Sequence, residues 1–582
     1  MRKLILPLLS SFLMLASSML AQETLDPNQY VNIQIASDTL ADGSHDPAKT
    51  VYLAESGNFY AFDGTLDCDF DLVILGPDAT WIMNQTAPPV FLQIPAAAGG
   101  TGRDMIHLLS GGSSRIKNVL FDGNMSDDNL VGAVVINQGG HKMIFDNCAF
   151  GDIIFFTSRN QAPVDTLSYT NCLFINMVRK QSSPFNGMIC RIEAAACDHF
   201  IFENNSLFNG SRLFGNGGNF IQSREIENHN TYLNMQVNGH EMHWYEALQA
   251  NNIYYNWSYR GRNLKTNHYE APWTTWDFHY EIAGVLDSIS LYQGVNLFYL
   301  DPAFNDYWNN TINPQVPNDS DKIISCFLWD TGIDTTVTVD DDFTIGKNYW
   351  QFDPMFVNNP SKLDSMFAWD LFHWSTPLGI PGPAEWPDWR IPVVVDYDAG
   401  GQPMLHWPPD FDLSYSNSFL QTAGTDGLPL ADLNWYPDAK ADYMANRDTY
   451  IAALRDSMTN ATSVYTPGDS ISAIITPDMV DVEYESSNVP ANFYLSNNYP
   501  NPFNPSTKIE FGLPEQSDVT LTVFNILGQK VVEVTEKSLA AGIHSYNFNA
   551  SQLSSGIYVY RVHATSADGK NFVESKKMML LK

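Results

Sequence analysis

Three side chains near the middle of the chain have the chemistry to act on an acidic sugar. Arg191 and Glu193 stand one residue apart within Met188–Ala194, and Arg224 follows some way on. In an extended strand, Cys190 and Ile192 would face a core while Arg191 and Glu193 would face out together. β-Elimination from a uronate needs a cation to neutralise the carboxylate, a base for the C5 proton and a donor to the leaving oxygen. Arg191 would be base or neutraliser, Arg224 the carboxylate partner, and Glu193 an orienter or a Ca²⁺ ligand. Charge supports that location. Residues 171–270 hold 8 basic and 8 acidic residues in a chain of net charge −34, so a polyanion would be tolerated best in this neutral band.

Other clusters are weaker. Asp127-Asp128 and Asp340-Asp341-Asp342 lack a spacing that would place two carboxyls across a glycosidic bond. His240 and His243 flank Glu241, but no third metal ligand follows in pattern. The 334–342 loop offers oxygen ligands for Ca²⁺ without the Asp-x-Asp-x-Asp-Gly order. There is no phosphate-binding glycine loop, nucleophile elbow or dinucleotide fingerprint. Trp369, Trp374, Trp386 and Trp389 crowd a segment that also holds Pro381, Pro383 and Pro387. Exposed rings there would stack on sugars; the prolines favour a packed flap in which the rings are padding.

The elements that would position these residues come from a repeat. Asn118-Val119-Leu120-Phe121 recurs as Asn147-Cys148-Ala149-Phe150, Asn171-Cys172-Leu173-Phe174 and Asn205-Ser206-Leu207-Phe208, then around Asn230 and Asn252. Such a period predicts a solenoid. Short apolar runs punctuated by Asn and Gly favour strands over helices. Asn suits a corner repeated once per coil, because it tolerates left-handed dihedrals and bonds to its own copy above. The residues one and three places on would then form inward columns, with Cys148 and Cys172 stacked as buried thiols. Cys190 and Cys197 are the better disulfide candidates.

These phrases resemble the right-handed parallel β-helix, pectate-lyase-like superfamily, from about residue 30 to 440. Glu203-Asn204-Asn205-Ser206-Leu207-Phe208-Asn209 and Ala250-Asn251-Asn252-Ile253-Tyr254-Tyr255-Asn256 carry the likeness, as do Asp301-Pro302-Ala303-Phe304 and Asp353-Pro354-Met355-Phe356. Val51–Gly76 reads as the opening coil and Asp412–Tyr436 as a closing one. The resemblance implies an all-β solenoid. It also implies that a lyase would use Arg or Lys as base, in some cases beside Ca²⁺. The superfamily includes lyases, hydrolases, epimerases and non-catalytic surface proteins, so fold alone leaves function open.

The two ends of the chain concern address. Met1–Ala21 reads as a signal peptide: Arg2 and Lys3, an apolar run, then small residues before a cut after Ala21. No later stretch is long and apolar enough to span a bilayer. Residues 22–492 carry 21 basic and 58 acidic residues, whereas 493–582 carry 8 and 7; this step predicts a domain boundary. A solenoid over 22–437, a short helix and linker over 438–492 and a separate domain over 493–582 follow. The last segment reads as a small immunoglobulin-like sandwich, with strands Lys508–Phe511, Val519–Phe524, Lys530–Val534, His544–Phe548 and Gly556–His563. Asn497–Thr507, Asn525–Val531 and Ser555–Val562 resemble, in order, the blocks of the type IX secretion C-terminal sorting domain. That resemblance implies export to the outer cell surface or the medium, with the type IX machinery as partner of 493–582. The acidity argues against nucleic-acid binding. The expected protein is an exported β-helix that binds glycans or builds the surface layer; the alternative is a lyase of uronate-containing polysaccharides.

Overall fold

A computed structural model describes residues 22–460, 474–475 and 493–581. It omits 95–103, 124–132, 154, 179–186, 194–195, 217–220, 237–242, 262–289, 325–342, 346–347, 386 and 391, and in the last segment 497, 499–500, 502, 526–528, 540–541, 551–552 and 567–569. The chain divides into two compact units, 1–476 and 477–582.

The first unit is a parallel β-helix. One coil shows the plan: Lys142–Asp146 joins sheet A, Ala149–Gly151 joins sheet B and Phe156–Asn160 joins sheet C. Among the described residues, sheets A and B have eleven strands each and sheet C has six. All pair in parallel with the coil above and below. Neighbouring strands lie about 4.8 Å apart, so each side chain sits over its copy. The core is therefore columnar. Phe91, Phe121, Phe150 and Phe174 form one column in sheet B, with ring centroids 5.4, 5.8 and 5.0 Å apart. Leu207 interrupts it, and Tyr232, Tyr254 and Phe298 resume it at 4.9 and 4.8 Å.

The corner between sheets A and B corrects the reading of the repeat. The sequence predicts one asparagine column here; among the described residues this corner contains two, side by side. Asn118, Asn147, Asn171, Asn204, His229 and Asn251 occupy the left-handed corner, with φ between 53° and 61°. The next residues inward are Val119, Cys148, Cys172, Asn205, Asn230, Asn252, Asn296 and Asn348. The phrase thus slips by one at Asn205, from corner to core, because Asn204 already fills the corner. Cys148 and Cys172 do share one column, as buried thiols. Cys190 and Cys197 are also free and buried, in sheets C and A, so the disulfide expected between them is absent.

Asp412–Tyr436 is not a closing coil. Asp412–Tyr415 pairs antiparallel with Phe356–Asn358, outside the three sheets. Residues 424–434 then run back along the corner as a strap. Thr425 N–H donates to Asn251 at 2.8 Å, His229 meets Asp426 at 2.7 Å, and Thr231 donates to Asp432 at 2.7 Å. Asn434 donates to the Asn204 carbonyl at 2.8 Å. Helix Pro437–Asn460 follows and lies on the outward face of sheet A. Its Ile451 and Leu454 pack on Ile226, Leu248 and Tyr292. Trp369, Trp374 and Trp389 are buried, which fits padding; Trp386 lies outside the described residues.

The second unit is an antiparallel sandwich of a three-stranded and a four-stranded sheet around one core. The five expected strands are present. Two more were missed, Tyr494–Leu495 and Asn571–Leu580.

Candidate functional site

Sheet C brings two of the three candidate residues together and separates the third. Arg191 lies on Met188–Ile192 and faces out, in register with Arg159 on Phe156–Asn160. Glu193 follows at the strand end. Arg159 Nε donates to Glu193 Oε2 at 2.7 Å, and Arg191 Nε lies 3.0 Å from Oε1. The Arg191 guanidinium also sits 5.7 Å from the centre of the Phe156 ring. Two guanidinium groups therefore share one carboxylate, leaving one positive charge in excess. All three side chains are part-exposed, at 35%, 18% and 35% for Arg159, Glu193 and Arg191.

The same column continues through Ile136 to His107. Asp104 and Asp67 approach the His107 ring at 3.4 and 3.1 Å. The Asp104 contact, aided by Asp67, raises the His107 pKa above its usual value. Neither Arg159 nor His107 was picked from sequence. Strand alternation within Phe156–Asn160 and Ile106–Leu108 carried the signal, but nothing local marks two strands as neighbours.

Arg224 lies on Ile221–Asn228 of sheet A, not on sheet C. Its Nη1 is 3.5 Å from His199 Nε2, and its Nε is 3.6 Å from Glu246 Oε2. The expected trio therefore does not converge. Nor does Glu193 suit Ca²⁺, since both of its oxygens already face guanidinium groups. Among the described residues no three His, Cys, Asp or Glu side chains are placed to hold a metal. The 334–342 loop lies outside the described residues, as does His240.

In the second unit the first and third sorting-domain blocks meet through Asn498 and Tyr560. Asn498 N–H donates to the Tyr560 hydroxyl at 2.8 Å, and that hydroxyl donates to the Ser496 carbonyl at 2.7 Å. Asn498 also donates to Thr507 at 3.0 Å, and Phe503 is buried in the core. Asn525 accepts from the Gln529 N–H at 3.0 Å. Residues 497–578 match the family model of the secretion system C-terminal sorting domain. The chain carries a type IX sorting domain. This places the protein at the cell surface or in the extracellular space. No curated protein matches the chain. Among solved structures, CopC from Methylosinus trichosporium OB3b is 17% identical, over 15% of this chain and 93% of its own, with a TM-score of 0.13.

Proposed function

We propose that this exported β-helix is a surface protein that binds acidic glycans through the outward face of sheet C. One observation carries the reading: Arg159 and Arg191 stand in register on adjacent strands and share the single carboxylate of Glu193. Their surplus charge is exposed on a body of net charge −34. A guanidinium pair held this way can grip a carboxylate or sulfate in two-pronged fashion. The surrounding acidity repels polyanions that cannot reach it, which favours selective over indiscriminate binding.

Uronate elimination is the second reading, and Arg159 is what favours it. In that reading Arg159 neutralises the uronate carboxylate and Arg191, in its unprotonated form, takes the C5 proton; the electron pair left at C5 forms the C4=C5 double bond and expels the C4 oxygen, which takes a proton from water. The difficulty is that both arginines are engaged by Glu193, and Arg224 belongs to another sheet.

One experiment addresses both readings. The purified exported protein is incubated with a panel of uronate polysaccharides, and glycan retention and the ultraviolet absorbance of unsaturated products are both followed. Retention without absorbance, lost in R159A/R191A, supports binding. A rise in absorbance abolished by R191A makes the protein a lyase. Retention unchanged in R159A/R191A overturns this site.

A further inference from the structure

Helix Pro437–Asn460 and sheet A enclose a pocket that lies apart from the sheet C arginines. Parallel register sets out three columns on the outward face of the sheet. His199, Arg224 and Glu246 form the first, Ile201, Ile226 and Leu248 the second, and Glu203 and Asn228 the third. The helix crosses all three. Tyr443 donates to Glu203 at 2.6 Å, Ile451 and Leu454 pack on Ile226 and Leu248, and Arg455 Nε donates to Glu246 at 3.0 Å. The helix therefore stands as a wall on the sheet. At its foot is a wedge of about 240 Å³. Ile201, Ile226 and Ile451 give the wedge an apolar lining, and Arg224 with His199 faces Arg447 and Arg455 across it.

The arginines are unequally served. Arg447 Nε donates to the buried Glu203 at 2.8 Å, and Glu203 also accepts from Tyr443. Glu246 has two arginines to serve: Arg455 at 3.0 Å and Arg224 at the longer distance of 3.6 Å. Arg224 is also about half exposed. His199 orients it. The ring Nδ1–H donates to the Asp165 carbonyl at 3.3 Å, which leaves Nε2 to accept from Arg224 Nη1 at 3.5 Å. In that tautomer the ring aims the guanidinium without cancelling its charge. Arg224 is thus an oriented cation with a shared and distant counter-ion, beside an aliphatic surface. Exclusion of water by that surface strengthens any charge-assisted bond made there. The rim is negative: Asp448 lies 3.5 Å from Arg447 and is exposed.

We infer that the wedge binds a small monocarboxylate with a compact apolar body. The carboxylate takes the Arg224 guanidinium in two-pronged fashion. The body lies on Ile201, Ile226 and Ile451 and gains by leaving water. Size sets the scale of the ligand. The wedge is smaller than the roughly 300–1,000 Å³ of sites for drug-sized molecules, so it suits a body no larger than that of benzoate or 4-methylpentanoate. Charge sets the class. Asp448 and the shared Glu246 repel a second negative charge, which disfavours di-acids and acidic polymers. Neither the sheet C arginines nor glycan binding enters this inference, so it stands or falls separately from the proposed function.

The test is a saturation-transfer NMR titration of the purified exported protein with benzoate and 4-methylpentanoate. Acetate, which lacks the body, benzamide, which lacks the charge, and phthalate, which adds a second charge, are the comparisons. Benzoate and 4-methylpentanoate should saturate with half-maximal signal at or below about 5 mM, as suits so few atoms. Each comparison ligand should bind about tenfold more weakly or worse. R224A should weaken benzoate binding about tenfold, as expected for losing a charge-assisted hydrogen bond. I201W should fill the wedge and abolish binding with Arg224 intact. R159A/R191A should leave it unchanged. A matching thermal unfolding curve confirms that each variant is folded; if I201W fails to fold, R224A, at an exposed position, decides. No saturation by benzoate up to about 20 mM, benzamide or phthalate binding as tightly as benzoate, or unaltered binding by R224A would each overturn the inference. So would loss of binding in R159A/R191A, which would move the ligand to sheet C.

Discussion

Asn205 and Asn230 are joined twice across one coil step: the Asn205 N–H and its side-chain amide both donate to Asn230 Oδ1, at 2.9 and 3.1 Å. Asn230 in turn donates to Asn252 Oδ1 and to the Phe202 carbonyl, both at 2.9 Å. The pattern passes on through Asn296 to Asn348. The inner ladder thus satisfies backbone groups that the turn between sheets A and B would otherwise bury unpaired.

Replacement of Asn230 by Ala should consequently be among the costlier changes in the solenoid. It leaves a buried N–H and a buried carbonyl without partners, at about 3 kcal/mol or more. Chemical denaturation of the isolated 22–476 unit measures this. The corner position Asn251 offers a contrast. Its φ of 60° suits Gly, so N251G should lose only side-chain bonds, whereas N251A adds backbone strain.

Glu193 sets how strongly the sheet C arginines attract anions. E193Q removes the shared carboxylate charge and should tighten retention on acidic polysaccharide, with a steeper loss of binding as salt rises. Retention equal to that of the unaltered protein would show that Arg159 and Arg191 serve only to staple adjacent strands.

Asp152 should make stability fall as pH rises from acid to neutral. It is buried at a left-handed corner, accepts from Asn176 at 3.2 Å and lies 3.7 Å from Arg390. Burial, only partly offset by Arg390, pushes its pKa up to about 7. Because the folded value is raised, its stability contribution is complete below the unfolded value of 3.8 and is lost as pH climbs through 7. D152N carries no such titration and should flatten this part of the curve. Melting temperatures of both proteins between these limits provide the check.

The strap depends on His229 and Asp426, which are both buried in contact at 2.7 Å. D426A strands the His229 ring and should cost about 3 kcal/mol, in the range for breaking a buried polar pair. Burial opposes ionisation of Asp426, but His229 and the Leu428 N–H hold its pKa below the usual carboxylate value. Its contribution is therefore present above the unfolded value and lost as pH falls through the lowered one. Limited proteolysis within 424–434 should be faster in D426A than in the unaltered protein.

Each unit has its own core, so the two should unfold separately. Calorimetry should resolve two transitions, and removal of 477–582 should erase one while leaving the other in place. A single shared transition would mean that the solenoid needs the sorting domain for stability.

Much of this protein is legible from residue order, because its constraints are local. A corner that needs a left-handed residue selects Asn at most of the described turns, with His229 and Val295 as exceptions between sheets A and B, and stacking repeats that choice. Strand alternation correctly turned Arg191 and Glu193 outward. The sorting domain was legible for a related reason: its blocks are short local words, and Asn498 bonds to Tyr560 while Phe503 and Tyr560 belong to one small core.

What only the tertiary structure decided is which coil lies beside which, and on which side. Asn204-Asn205 offers two asparagines for one corner, and nothing local says which one turns in; the neighbouring coils fix it through the ladder. Strands of sheets A and C alternate alike, so the pattern around Arg224 could not tell it from a strand beside Arg191. That choice depends on how the chain closes each coil, and hence on packing against residues a full turn away. The same holds for helix Pro437–Asn460. Its periodicity marked it as a helix, but its role as a wall on sheet A rests on Ile226 and Leu248, some two hundred residues earlier.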